Sequence, residues 1–270
     1  MYQDYWQLND RPFPYRLSID STYPFAAQQA GLLRLQYCVE NSAGCALILG
    51  ESGLGKTTLV RQLEVTSNTL TPFLHLAFPG LSVPEQLRLI YGQLTDAPFA
   101  TEGSADELLM GIGNSLRRHT ANEQHPVLCF DDAQLLSQQV MTEVILALLN
   151  LREIDDSIDF SLILCGQPIL FSQLARHPQI RERIAVTSRL SGMTESEASD
   201  YISTRLAACG ASAELFTPEA TKRLHEASQG NPRRLNRLCD MALLVGCADQ
   251  LGTIDASQID AVSSELLKAA

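Results

Sequence analysis

Short strand-like runs, most of them apolar, alternate with stretches of helical spacing through residues 25–190. The short apolar runs predict buried strands, and the longer amphipathic stretches between them predict helices. Strands are predicted at residues 45–49, 71–77, 126–130, 160–165 and 185–190, and helices at 25–40, 57–63, 84–94, 105–118, 138–152 and 169–176. The segment 96–103 is expected to form an exposed loop. This alternation predicts an α/β domain with a mostly parallel sheet covered by helices on both faces.

The strand pattern stops after residue 190, and helix-start signals take its place. Thr194 and Glu197 form a capping box, in which each residue can satisfy a backbone N–H at the start of a helix. Three further helix starts are indicated at Thr217-Pro218, Pro232 and Asp255. We therefore expect two domains: an α/β domain at residues 1–190 and an all-helical domain at residues 191–270.

Composition describes an ordinary globular protein, with 45% hydrophobic and 19% charged residues. The formal net charge of −11 does not favour a module that binds nucleic acid by bulk charge, although a local basic patch would be compatible with it. The seven cysteines form no C-x-x-C pair and are expected to be reduced core residues. There is no apolar run of membrane-spanning length and no signal-peptide pattern at the N-terminus, so the expected location is the cytoplasm.

The predicted strand at 45–49 and the helix that follows it enclose a phosphate-binding loop. Its residues match G-x-x-x-x-G-K-[ST] at every fixed position, and with the next threonine they are Gly50, Glu51, Ser52, Gly53, Leu54, Gly55, Lys56, Thr57 and Thr58. Glycines let the backbone N–H groups converge on phosphate oxygens, and the helix N-terminus adds its dipole. Lys56 is expected to reach the β- and γ-phosphates, and the Thr57 hydroxyl is expected to ligate Mg²⁺.

Two acidic residues follow the apolar strand 127–130 directly. Asp131 is expected to hold Mg²⁺, and Asp132 to orient or activate the attacking water. The simpler alternative is an aspartate that caps a turn; the phosphate-binding loop upstream favours the functional interpretation. Asp132 stands where a glutamate is more usual. Because its side chain is one methylene shorter, hydrolysis could be slow while binding is intact.

Four further residues carry candidate chemistry at other points of the chain. Gln167, which follows a strand, could contact the γ-phosphate or the water, although Gly-Gln-Pro is also an ordinary turn. Arg181 and Arg183 precede the last strand and could reach the nucleotide of a neighbouring subunit. Arg233 lies at the start of a helix, where its charge opposes the helix dipole, which indicates an anionic partner such as ATP or a nucleic acid.

The chain resembles AAA+ ATPases, and in particular the ExeA family of general secretion pathway protein A ATPases, to which TniB-type transposition ATPases are related. The resemblance extends over nearly the whole chain. It is carried by Tyr-Trp-Gln-Leu-Asn-Asp-Arg-Pro-Phe at residues 5–13, the loop at 50–58, Phe-Asp-Asp-Ala-Gln at 130–134, Cys-Gly-Gln-Pro at 165–168, Arg-Glu-Arg-Ile at 181–184 and Asn-Pro-Arg-Arg at 231–234.

The resemblance implies a P-loop αβα sandwich with a five-stranded parallel sheet of order 5-1-4-3-2 and a C-terminal helical lid. It implies that Gln167 is sensor 1, that Arg183 is the arginine finger with Arg181 as the second choice, and that Arg233 is sensor 2. Cofactors would be ATP or ADP with Mg²⁺ held by Thr57 and Asp131. Self-association into a ring or filament would place each arginine finger in the next subunit's site.

The function implied is that of an ATPase that cleaves the β–γ bond of ATP and acts as an oligomeric switch or motor on a partner protein. One alternative is an ATP-dependent DNA-binding regulator of the transposition type, which Arg233, Arg234 and Arg237 favour and the net charge opposes. Another is an ATP-sensing scaffold with weak hydrolysis, which Asp132 suggests. Many secretion members carry a transmembrane helix and a peptidoglycan-binding module. Because these 270 residues show no pattern for either, we do not expect an envelope role unless a separate partner supplies it.

Overall fold

The computed structural model describes residues 2–14, 23, 25–67, 70–95, 103–211 and 214–268. The expected loop at 96–103 lies, except for its last residue, outside the described residues. Within the described ranges, no helix is long and apolar enough to cross a membrane. Contacts divide the chain into two units. Unit 1 comprises residues 1–28, 53–55 and 191–270, and unit 2 comprises residues 29–52 and 56–190.

Unit 2 is built on a five-stranded sheet in which all neighbouring strands are parallel. The strands are β1 (Cys45–Leu49), β2 (Phe73–Leu76), β3 (Val127–Phe130), β4 (Ser161–Gly166) and β5 (Ile184–Arg189). Their spatial order is β2-β3-β4-β1-β5, which confirms the predicted order 5-1-4-3-2. Because the strands are parallel, the residues that follow β1, β3 and β4 all lie at the same end of the sheet, where the strands have their carboxyl ends.

The helices of unit 2 connect these strands. They are α2 (Ala26–Glu40, which begins in unit 1), α3 (Lys56–Thr66), α4 (Val83–Thr95), α5 (Ala105–Ala121), α6 (Gln138–Val140), α7 (Leu146–Ile154), α8 (Ile169–Leu174) and α9 (Pro178–Arg181). The single helix predicted at 138–152 is interrupted by a π-helical segment at Met141–Ile145. Helix α9 was not predicted separately, because four residues are too few for a periodic pattern.

The central strands have near-continuous apolar sequences because both faces of the sheet are covered. Every residue of β1, β3 and β4 is buried. β5, by contrast, lies at the edge of the sheet, and most of its residues remain partly or fully exposed. This burial pattern is what a parallel sheet packed between helices requires.

Unit 1 contains α1 (Tyr2–Trp6), α10 (Glu195–Ala208), α11 (Pro218–Ser228), α12 (Pro232–Ala248) and α13 (Ala256–Lys268). The predicted helix starts are confirmed: the Thr194 capping box is formed, Thr217 caps α11, and Pro232 is the first residue of α12. The first 28 residues group with this helical unit, whereas the sequence analysis counts them with the domain at 1–190. The buried Trp6 explains the grouping, because its indole N–H donates to the Leu243 carbonyl in α12 (2.9 Å).

A polar cluster surrounds Asp159, which directly precedes the buried Phe160 and β4. The carboxylate of Asp159 accepts a hydrogen bond from the Ser42 hydroxyl (2.6 Å) and lies 3.1 Å from His125 Nδ1. Arg152 Nη2 is 3.2 Å from the other carboxylate oxygen. The hydrogen bond with His125, followed by the one from Ser42, lowers the pKa of Asp159 from 3.8 to about 2. The ionised carboxylate therefore links three separate segments of unit 2.

We predict that Asp159→Asn destabilises the protein at pH 7 by about 1–2 kcal/mol, less than the full pKa shift implies because the carboxylate is partly solvated. The folded-state pKa is lower than the unfolded one, so this stabilisation is present above pH 4 and is lost between about pH 4 and pH 2. Urea unfolding at a series of pH values measures it. The difference between native and variant should shrink as the pH falls. Asp156→Asn, at an exposed position of the same connection between α7 and β4, should show little difference at any pH.

Candidate nucleotide-binding site

The loop that follows β1 has the backbone conformation that its glycines allow. Gly53 and Gly55 have φ of +87° and +85°, in the region where a side chain causes strain. Helix α3 begins at Lys56, immediately after this loop. The first N–H groups of a helix have no partner inside the helix, so this N-terminus is suited to hold an anion. The sequence thus forms the loop and helix start from which a phosphate-binding site is built.

Lys56 is buried, with 7% of its surface exposed. Its ammonium group donates to the carbonyl oxygens of Gly50 (2.8 Å) and Glu51 (3.2 Å). These two bonds satisfy a charge that would otherwise be costly to bury. Because the partners are neutral carbonyls of the loop itself, phosphate oxygens arriving at the loop can replace them with stronger charge-assisted bonds.

Thr57 and Asp131 meet although they are far apart in sequence. The Thr57 hydroxyl donates to Asp131 Oδ2 (2.6 Å), while the Asp131 N–H donates to the Leu76 carbonyl (3.1 Å) and so extends the pairing of β3 with β2. A hydroxyl and a carboxylate are hard oxygen ligands, which Mg²⁺ prefers, and Mg²⁺ commonly keeps several waters and takes only one or two protein ligands. The donor set therefore fits the expected metal.

Asp132 has a left-handed backbone conformation, with φ 48° and ψ 38°. Asparagine and aspartate tolerate this region better than most residues do. One oxygen of the Asp132 carboxylate accepts a hydrogen bond from the side-chain amide of Gln134 (3.1 Å). The carbonyl oxygen of the same amide accepts from the backbone N–H of Gln167 (2.9 Å). The residues after β3 and β4 are therefore joined through Gln134.

Gln134 was absent from the residues to which the sequence analysis assigned a role. It appeared only as the last letter of the Asp-Asp-Ala-Gln segment. A glutamine two residues after the second acid is the signal that could have drawn attention to it. The strand order that brings residue 167 beside it is needed as well, because a local pattern does not reveal a contact with a residue 33 positions away.

The two candidate arginine fingers have different surroundings in unit 2. Arg183 forms a bidentate ion pair with Glu153 of α7, in which Nε and Nη2 each lie 2.5 Å from a carboxylate oxygen. This hydrogen bonding raises the pKa of Arg183 and lowers that of Glu153. Arg181 lies over the ring of Phe171, with its guanidinium carbon 5.5 Å from the ring centroid. Insertion of Arg183 into another subunit's site would therefore require the Glu153 pair to open.

Arg233 belongs to unit 1 and lies in the first turn of α12. The side-chain oxygen of Asn231 caps this helix and accepts hydrogen bonds from the N–H groups of Arg233 (3.1 Å) and Arg234 (3.3 Å). Asn231 is buried, with 6% of its surface exposed. The cap holds the first turn of α12 in shape, so the backbone from which Arg233 extends is well defined.

Comparison with known proteins identifies the family. The family described as "AAA domain" matches residues 39–174, which include the loop, both aspartates and helices α3 to α8. Over 253 residues, the chain is 30% identical to general secretion pathway protein A of Aeromonas hydrophila, which covers 92% of this chain and 45% of that protein. The chain belongs to the AAA family of P-loop ATPases, a family of nucleotide-binding proteins. It spans about half the length of this curated relative.

Solved structures share the fold. The Aeropyrum pernix ORC2 protein, determined as ADPNP–ADP complexes, superposes with a TM-score of 0.71 at 17% identity, covering 95% of this chain and 72% of that chain. The Aeropyrum pernix ORC1 protein in complex with DNA gives a TM-score of 0.68 at 16% identity, covering 92% and 67%. At such low identity, the likeness confirms the P-loop α/β fold with its helical domain, and the fold alone.

We predict that Gly166→Ala destabilises the protein by about 1–3 kcal/mol, the range typical of overpacking. An added Cβ would lie 2.7 Å from Leu170 Cδ2 and 2.8 Å from Gln134 Oε1, which is too close for either. Thermal unfolding of the two proteins measures the effect. Gly80→Ala is the matched control, since a Cβ at that position meets nothing within 4 Å. An unchanged melting temperature for Gly166→Ala would show that Leu170 and Gln134 can move enough to accommodate the added methyl group.

Proposed function

We propose that this protein binds Mg·ATP and hydrolyses its β–γ bond, and that it uses the cycle as a molecular switch or motor acting on a partner protein. The observation that supports this most directly is the meeting of Thr57 with Asp131 beside the buried ammonium of Lys56. Lys56, which can bind phosphate, is followed directly by Thr57, and Thr57 is hydrogen-bonded to Asp131. The phosphate-binding cation is thus linked to the two oxygen ligands for a metal. Family membership supports the nucleotide; the bond cleaved and the use of the energy are our proposals.

In this proposal each candidate residue of the phosphate-binding loop and of the segments after β3 and β4 has a defined task. Lys56 and the N–H groups of residues 50–58 bind the phosphates, and Thr57 with Asp131 would hold Mg²⁺, which neutralises the charge that develops on the phosphates. Asp132 orients the attacking water and accepts its proton. Gln167 acts as sensor 1 near the γ-phosphate.

Self-association completes the proposed site. Arg183 supplies the cation that stabilises the transition state in a neighbouring subunit, after release from Glu153, and Arg181 is the second choice. Arg233, in the helical unit, acts as sensor 2. The cost of opening the Arg183–Glu153 pair is modest because Glu153 is 54% exposed and water can replace it. The catalytic cation would then be available only when a neighbouring subunit carries nucleotide.

A protein is the proposed partner rather than DNA, because the net charge of −11 opposes the phosphate backbone. The similarity to general secretion pathway protein A points to a secretion-associated process, which we propose on that ground alone. We further propose that the protein works in the cytoplasm, where ATP is available and where its cysteines, all free among the described residues, would stay reduced.

We predict that Lys56→Ala weakens ATP binding at least about tenfold and abolishes turnover, since it removes the buried cation that faces the phosphates. Equilibrium titration with a fluorescent ATP analogue and a phosphate-release assay measure the two effects. The control is Lys222→Ala, which removes an exposed lysine from α11. Turnover that persists in Lys56→Ala would exclude this site as the source of the activity.

We predict that two inactive variants restore each other when they are mixed. Arg183→Ala has an intact nucleotide site and no finger, whereas Asp132→Asn has an intact finger and no base. Mixed assemblies contain interfaces that combine the intact halves, so ATP turnover should reappear and pass through a maximum near equal proportions. If Arg183→Ala alone keeps native turnover while Arg181→Ala loses it, the finger is Arg181. If turnover does not recover when Asp132→Asn is mixed with Arg183→Ala, or with Arg181→Ala, the proposal of a site shared between subunits is contradicted.

A further inference from the structure

Gln134 is a buried polar residue at the functional end of the sheet to which the proposed mechanism gives no role. It lies in the short 3₁₀ turn Ala133–Leu135 that follows the two aspartates. Only 8% of its surface is exposed, whereas Asp132 is exposed. Burying a side-chain amide costs free energy unless its donor and acceptor both find partners. The identity of those partners therefore bears on its role.

Both ends of the Gln134 amide are bound, and the partners leave only one orientation. The Gln167 backbone N–H can only donate, so Oε1 of Gln134 must face it (2.9 Å). Nε2 then faces the acceptor Asp132 Oδ1 (3.1 Å). A glutamate at this position would lose the donor, and a methionine would lose both bonds. The geometry thus uses the two chemically different ends of an amide.

The neighbouring backbone is shaped to admit this side chain. A Cβ at Gly166 would come within 2.8 Å of Gln134 Oε1, so the absence of a side chain there gives the amide its space. On the other side, the backbone carbonyl of Gln134 accepts a hydrogen bond from Gln173 Nε2 (3.1 Å), which holds the turn from α8. The position of Gln134 is thereby restrained through its backbone and its side chain.

We propose that Gln134 is a positioning residue that sets the orientation of the Asp132 carboxylate and couples it to the segment that carries Gln167. The inference rests on the proposed hydrolysis of ATP. Asp132 has a short side chain on a left-handed backbone. A rotation about χ1 therefore changes the direction in which its carboxylate points. The bond from Gln134 selects one rotamer. If nucleotide binding moves the end of β4, the Gln134 side-chain amide would transmit that movement to the Asp132 carboxylate.

The first test uses Gln134→Met, which keeps approximately the side-chain volume and removes both hydrogen bonds. We expect kcat to fall about tenfold or more, since a general base contributes about 10²–10⁴-fold only when it is correctly placed. The affinity for the ATP analogue should stay within about twofold, because Gln134 contacts neither Lys56 nor Thr57. Gln139→Met is the matched control: it makes the same substitution at an exposed position of α6, five residues further on, and should keep kcat within about twofold.

A double-mutant cycle separates positioning from a general structural effect. In the Asp132→Ala background, Gln134→Met should change the residual single-turnover rate by less than about twofold, because the group that it positions is gone. A purely structural role predicts the same fold loss in both backgrounds.

A readout that does not depend on activity is the ¹H–¹⁵N spectrum of the nucleotide-free protein. Gln134→Met should shift the Gln167 backbone amide, whereas Gln134→Glu, which retains the acceptor, should shift it less and still lower kcat. Native kcat in Gln134→Met overturns the inference and leaves the proposed function intact. Absence of Lys56-dependent turnover in the native protein overturns both, so the two failures are distinguishable.

Discussion

The pairing of β4 with both β1 and β3 is the constraint on which the rest of the site depends. β1 carries the phosphate-binding loop, β3 carries Asp131 and Asp132, and β4 carries Gln167. Each of these groups follows the last residue of its strand, so parallel pairing brings them to one end of the sheet. A shift of one residue in either pairing would turn the buried side chains of β4 to the opposite face. Side chains of different shape pack closely on each face, so such a shift is disfavoured. The register in turn determines the site.

The polar groups at this end of the sheet each have a partner within the protein. Lys56 is bound by loop carbonyls, Thr57 by Asp131, and Asp132 by Gln134. Nearly all of these partners are ones that a phosphate, a metal ion or a water molecule can replace. These partners satisfy the buried charge of Lys56, and nucleotide binding would exchange one set of hydrogen bonds for another. Gln134 is the exception, because both of its partners belong to the protein.

The fold and the phosphate-binding loop could be predicted from the sequence because their signals are local. The loop, the two aspartates and the caps at Thr194 and Thr217 depend on residues within a few positions of each other, and buried parallel strands have a distinct apolar pattern. The strand order came from the family resemblance and was confirmed.

The features that escaped prediction depend on tertiary contacts. The bond from Gln167 to Gln134 and the ion pair of Arg183 with Glu153 join residues about 30 positions apart on different elements. The packing of Trp6 against α12 spans 237 positions. A short helix such as α9, and a π-helical segment within a predicted helix, likewise leave no periodic signal. The contacts of Gln167 and Arg183 determine how far these two candidate residues are free to take part in chemistry.

The most direct measurement of the central claim is a crystal structure of the protein with Mg²⁺ and a non-hydrolysable ATP analogue. The account predicts that the Lys56 ammonium leaves the carbonyls of Gly50 and Glu51 for phosphate oxygens, and that the metal separates the Thr57 hydroxyl from Asp131. Phosphates bound elsewhere, with the Thr57–Asp131 hydrogen bond still in place, would contradict it.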